Sequence, residues 1–136
     1  IQAALGASQL KKLDHFIAAR RALAVRYESL LQDLPMHLPP PDKLSGWHLY
    51  PIVIDAKNTT ASRDVVFESL REQQIGVNVH YMPIHLHPYY RRLGFRPGQF
   101  PKAERMFTGL LSLPLHPGLS EADLHRVTDA LKAALT

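Results

Sequence analysis

Pro35, Pro39, Pro40 and Pro41 fall between Leu34 and Ser45. A proline lacks the backbone donor that a helix needs, and its ring collides with the preceding turn, so no helix runs through this stretch. On its N-terminal side Leu10, Leu13, Phe16, Ile17, Ala24, Tyr27, Leu31 and Leu34 recur at steps of three, four and seven. Lys11, Lys12, Arg20, Arg21 and Arg26 fall largely between them, which predicts one long amphipathic helix from about Gln9 to Leu34. Residues Ile1 to Ala7 read as the tail of an earlier helix, punctuated by Gly6 and by Ser8, a candidate N-cap.

Beyond the proline-rich crossing the signals alternate. Trp47 to Ile54 ends in the run Tyr50-Pro-Ile-Val-Ile54 and reads as a strand, with Pro51 placing it near an edge or a bulge. Thr60 or Ser62 caps a helix carrying Val65, Val66, Phe67 and Leu70 to about Gln74, and Gly76 fits the residue just past it. Val77 to His80 alternates as a short strand. Pro101 opens a helix with Ala103, Met106, Phe107 and Leu110 on one side, and Leu111 to Leu113 forms a third strand. Ser120-Glu-Ala-Asp123 starts a last helix carrying Leu124, Val127, Leu131 and Ala134. The pattern is α/β (or α+β) on a small three-stranded sheet, mixed or antiparallel.

At 136 residues the chain is the size of one domain. It is long enough to bury roughly two-thirds of its unfolded surface without a metal or disulfide staple. The absence of cysteine removes thiolate nucleophiles and zinc–thiolate sites, and it favours a cytoplasmic setting. The net charge of +4 is mild and the sixteen Lys and Arg are scattered, so nucleic acid is not expected as a partner. No apolar run approaches the ~20 residues that span a bilayer, and no membrane partner is expected. The first residue is Ile1 and helix follows at once, as in a chain that begins inside a larger protein.

Gly76 to Gly94 holds three histidines, three tyrosines and two arginines in nineteen residues. Polar aromatic tips, cationic forks and stiffening prolines together suit a loop lying against a polar, anionic small molecule. His85-x-His87 with His80 nearby is a conceivable three-nitrogen metal site, but no carboxylate in that stretch completes or orients it, and no metal is expected. No nucleophile elbow occurs, and Gly94-Phe-Arg-Pro-Gly98 lacks the ending of a phosphate loop. Arg91 and Arg92 read either as an anion clamp or as a solvated helical turn. Glu121 and Asp123 charge the first turn of the last helix, where the dipole favours anions. Ser112 and His116 either face a ligand or complete a turn.

Several segments carry a resemblance. They are Ile1-Gln-Ala-Ala-Leu-Gly-Ala-Ser-Gln-Leu-Lys-Lys-Leu13, His80-Tyr-Met-Pro-Ile-His-Leu-His-Pro-Tyr-Tyr90, Phe100-Pro-x-Ala-Glu104 and Leu111-Ser-Leu-Pro-Leu-His-Pro-Gly-Leu-Ser120. Over nearly its whole length, and in the right order, the chain resembles the C-terminal part of the DegT-type sugar aminotransferases. Within them it is most similar to the transaminases of pseudaminic acid biosynthesis and of spore-coat polysaccharide synthesis.

The resemblance implies a fold-type I enzyme that uses pyridoxal phosphate (PLP) to move an amino group from glutamate to C4 of a nucleotide-linked 4-keto-6-deoxy sugar, as a homodimer. It implies connector helices over residues 1–34 and a small C-terminal domain over 35–136. The Schiff-base lysine and most cofactor contacts belong to a large domain, and none of Lys11, Lys12, Lys43, Lys57, Lys102 and Lys132 follows the cofactor-lysine pattern. The chain alone is therefore expected to be inactive and to hold no cofactor. The expected substrate contacts are His80, Tyr81, His85, Tyr89 and Arg91. A free-standing nucleotide-sugar-binding module, or a structural dimerisation domain, are the alternative readings.

Overall fold

The computed structural model describes residues 1–135. Its elements, in chain order, are α1 (Gln2–Leu10), α2 (Leu13–Leu31), β1 (Met36–His37), β2 (Tyr50–Ile54) and α3 (Arg63–Glu72), followed by a 3₁₀ turn at Ile84–Leu86. Then come α4 (Pro88–Arg92), α5 (Pro101–Gly109), β3 (Leu110–Leu113) and α6 (Glu121–Leu135). The small helix-covered sheet expected from the sequence is present, and all of its pairings are antiparallel, in the order β1-β2-β3.

Alternation in β2 sends Tyr50, Ile52 and Ile54 inward, where they meet Val66 and Leu70 of α3, Leu124, Val127 and Leu131 of α6, and Tyr27 and Leu31 of α2 in one apolar core. The other face of β2 meets α5 at Gly109. A Cβ on Gly109 would lie 2.6 Å from the Ile54 carbonyl oxygen and 2.9 Å from Val53 Cγ1, so only glycine permits this approach of helix end to strand.

Two helix starts carry their expected caps. Ser62 accepts a hydrogen bond from the Val65 amide, and Ser120 and Asp123 form a reciprocal capping box at the head of α6. Pro101 stands at the first position of α5.

Other expectations are corrected. Gly6 and Ser8 lie inside α1, and the chain turns instead at Lys11–Lys12, where the Lys12 amide donates to the Gln9 carbonyl. The break after the first helix is thus displaced to Lys11–Lys12, and the long helix is α2, Leu13–Leu31. The proline-rich crossing contains β1, which makes β2 the central strand. Its Pro51 tolerates this because β1 pairs only with Val53 and Ile54 and asks no donor of it.

The residue past α3 is Gln74, with φ 60°, in place of Gly76. The Gln74 amide donates to Arg71 and the Ile75 amide to Leu70, the paired bonds of a Schellman end. Residues Val77–His80 form one bridge, Asn78 to Ser112, in place of a strand. On α5, Ala103 and Met106 face solvent, while Leu110 belongs to β3.

Candidate functional site

The aromatic segment begins where Asn78 leaves the edge of β3. Its backbone exchanges two hydrogen bonds with Ser112, Asn78 N to Ser112 O at 3.2 Å and Ser112 N to Asn78 O at 2.8 Å. His80 follows, half-buried, with Nδ1 3.0 Å from the buried Ser112 hydroxyl. Its ring meets Tyr81 edge to face at 4.7 Å, across a cis peptide. Tyr81 is 73% exposed.

From residue 81 the chain leaves the sheet as a lobe. The 3₁₀ turn buries His85, whose Nε2 lies 2.8 Å from Oε1 of Glu104 on α5. The amides of Gly98 and Phe100 also donate to this carboxylate. Chiefly the Gly98 amide, and then His85, hold the Glu104 carboxyl below the usual range, so it is ionised at neutral pH. An ionised carboxylate only accepts, and therefore Nε2 of His85 carries its proton. His87 is exposed and its Nε2 lies 3.3 Å from the Met82 carbonyl oxygen. His85 and His87 thus engage different partners and do not converge on a shared ligand position.

On α4, Tyr89 and Arg91 are exposed. Tyr89 meets Tyr90 edge to face at 5.3 Å, and the Arg92 guanidinium lies 6.0 Å from the Tyr89 ring centroid. Neither Arg91 nor Arg92 enters a salt bridge among the described residues. A ring series, His85–Phe100–Phe95–Tyr90, backs the lobe with centroid separations of 4.7, 6.3 and 6.2 Å. Several of these rings line a cavity of about 310 Å³ with Pro83 and Ile84. A cleft of about 380 Å³ between Met82, Val79, Phe67, Phe107 and the Arg63–Asp64 pair opens beside it.

Of the five residues expected at a ligand, Tyr81, Tyr89 and Arg91 present free tips, His80 is half-exposed, and His85 is turned inward. Ser112 anchors His80, while His116 lies in the turn leading to α6. Glu104 was not anticipated from the sequence as a site residue. Its signal was the Phe-Pro-x-Ala-Glu spacing after Gly98, which puts a carboxylate one turn inside a helix with open amides just ahead of it.

The sequence pattern of the DegT/DnrJ/EryC1/StrS aminotransferase family matches residues 1–132. The chain belongs to that family. It is 36% identical to the spore coat polysaccharide biosynthesis protein SpsC of Bacillus subtilis, over 97% of this chain and 35% of SpsC. Its fold superposes on Helicobacter pylori PseC, an aminotransferase involved in the biosynthesis of pseudoaminic acid, with a TM-score of 0.86. The two are 30% identical over 98% of this chain and 36% of PseC. DesI, solved in the presence of its TDP-sugar product, matches with a TM-score of 0.87 and 28% identity over 98% of this chain and 35% of that one. The chain therefore spans about a third of the length of these DegT-family relatives.

Members of this family use PLP, which requires a lysine in a setting that lowers its pKa and a group that tunes the pyridine ring. All six lysines of this chain are exposed. They do not fit the covalent site of the cofactor.

Proposed function

We propose that this chain is the substrate-side portion of a PLP-dependent DegT-family aminotransferase that moves an amino group from glutamate to C4 of a nucleotide-linked 4-keto-6-deoxy sugar. Such a product feeds cell-surface polysaccharide synthesis in the cytoplasm, and the enzyme works as a homodimer. In this reading residues 1–34 connect and residues 35–136 form the small domain, although α2 already gives Ala24, Tyr27 and Leu31 to the core. The cofactor's lysine and ring contacts come from a large domain, so the 136 residues alone turn over no substrate.

The observation that carries the proposal is that Tyr81, Tyr89 and Arg91 of one aromatic segment are all exposed, with His80 at its root, on a chain matched over 97–98% of its length by SpsC and DesI. Phenol and imidazole tips pair with sugar hydroxyls, and a guanidinium fork pairs with phosphate oxygens. His85, committed to Glu104, shapes the lobe from inside. The arrangement contributes binding and orientation of the sugar, which convert its collision with the reacting centre into an intramolecular encounter.

The test is a comparison of two substrates in the longer enzyme. Tyr81→Phe, which removes one hydrogen bond from an exposed ring, should raise the apparent KM for the nucleotide sugar by roughly tenfold, about 1.4 kcal/mol, while leaving that for glutamate within twofold. Equal effects on both substrates would overturn the reading.

A further inference from the structure

The lobe over residues 81–99 is weakly held by its own backbone. The backbone hydrogen bonds formed by residues 83–99 are local, running from Pro83–Leu86 to Arg96–Gln99, and none reaches back to the sheet. Among the described residues, the side-chain hydrogen bonds from this lobe to the rest of the protein all end on Glu104 of α5. Glu104 takes the His85 ring N–H from a position nineteen residues away, the Gly98 amide on both carboxylate oxygens at 2.9 Å, and the Phe100 amide at 3.2 Å. Gly98 has φ 89°, a conformation that glycine adopts freely and that turns its amide toward the carboxylate. Phe100 in turn lies 4.7 Å from the His85 ring. The end of α5 is pressed onto β2 at Gly109, so Glu104 is a fixed point on the body of the protein.

We infer that Glu104 is a positioning residue for the ligand: its carboxylate ties His85, Gly98 and Phe100 to one point and so holds Tyr81, Tyr89 and Arg91 in a single arrangement. The inference rests on the proposal that this lobe meets a nucleotide sugar. Glu104 itself touches no ligand and acts through His85 and the two amides.

Two measurements test it. The first is hydrogen exchange on the 136-residue chain, comparing the unaltered protein with Glu104→Ala and Glu104→Gln, with the β2 amides as an internal control. Exchange at Gly98 and Phe100 should accelerate at least about tenfold in Glu104→Ala, with β2 unchanged. Glu104→Gln should recover part of the protection, because a carbonyl oxygen in the Oε1 position still accepts from His85, Gly98 and Phe100, although an NH₂ group in the Oε2 position cannot accept from the Gly98 amide. Should Glu104→Ala also loosen β2, the glutamine variant carries the comparison. Unaltered exchange at Gly98 and Phe100 in the glutamine and alanine variants overturns the inference.

The second measurement is steady-state kinetics in the longer aminotransferase. Glu104→Ala should raise the apparent KM for the nucleotide sugar roughly ten- to hundredfold and leave the glutamate half-reaction unchanged. If Glu104→Ala leaves that KM alone while Tyr81→Phe raises it, the positioning role falls and the substrate reading stands. If neither variant moves it, both fall.

Discussion

Nδ1 of His80 lies 3.0 Å from Oγ of Ser112, a serine only 3% exposed in the middle of β3. The same serine exchanges both backbone hydrogen bonds with Asn78. A single residue of the buried strand β3 therefore fixes the backbone two positions before His80 and the ring of His80 itself. The root of the aromatic lobe is thereby set by the core, while its tip is set by Glu104.

Ser112→Ala separates these two ties. The Asn78 bridge is made by backbone and persists, whereas the imidazole loses its partner. Removing one hydrogen bond of this kind costs about 1 kcal/mol, and more where the orphaned atom stays out of water. Urea denaturation should show a drop of that size in the midpoint stability with the slope unchanged. A variant as stable as the parent would show that His80 re-pairs with water.

Gly109→Ala tests the seat of α5. The added methyl would stand 2.6 Å from a backbone oxygen, which no side-chain rotation relieves. Overpacking of this kind costs about 1–3 kcal/mol. The expected fall in Tm is roughly 5 to 15 °C, measurable by calorimetry. An unchanged Tm would mean that α5 slides freely on β2, and the anchoring attributed to Glu104 would lose its fixed point.

What the sequence disclosed was local. The capping box of Ser120 and Asp123, the cap at Ser62, the alternation of Tyr50 to Ile54 and the proline opening α5 each depend on residues within one turn or one strand. What it hid depends on partners far along the chain. Met36 and His37 form a strand only because Ile54 and Val53 lie opposite, and Val77–His80 makes a single bridge, Asn78 to Ser112. Gln74 takes the left-handed position because the Schellman bonds and the burial of Ile75 outweigh the glycine preference two residues later. The same division runs through the candidate site. The exposed tyrosines and Arg91 were legible as residue types, while the inward turn of His85 depends on Glu104, a carboxylate that lies beyond Gly94 in the sequence.

The last prediction concerns pH. Tyr27 is fully buried beneath the sheet, its hydroxyl donates to the Pro114 carbonyl at 2.9 Å, and its ring lies 4.9 Å from that of Tyr50. Burial pushes both phenols well above their ordinary range, with a further push on Tyr27 from Tyr50 and on Tyr50 from the Glu28 carboxylate. The unfolded chain releases these protons near pH 10, whereas the folded chain keeps them. Above about pH 10 the unfolded state therefore binds fewer protons, so the contribution of these phenols to stability is constant below that pH and falls above it. The fall approaches about 1.4 kcal/mol per pH unit for each phenol. Tyr27→Phe should reduce that slope by about one proton's worth, and should cost about 1–3 kcal/mol at pH 7 because the Pro114 carbonyl loses its donor. Denaturation midpoints from pH 7 to 11 check both effects in one series. A variant that kept the parent's alkaline slope would show that Tyr27 is not among the groups whose ionisation opens the core.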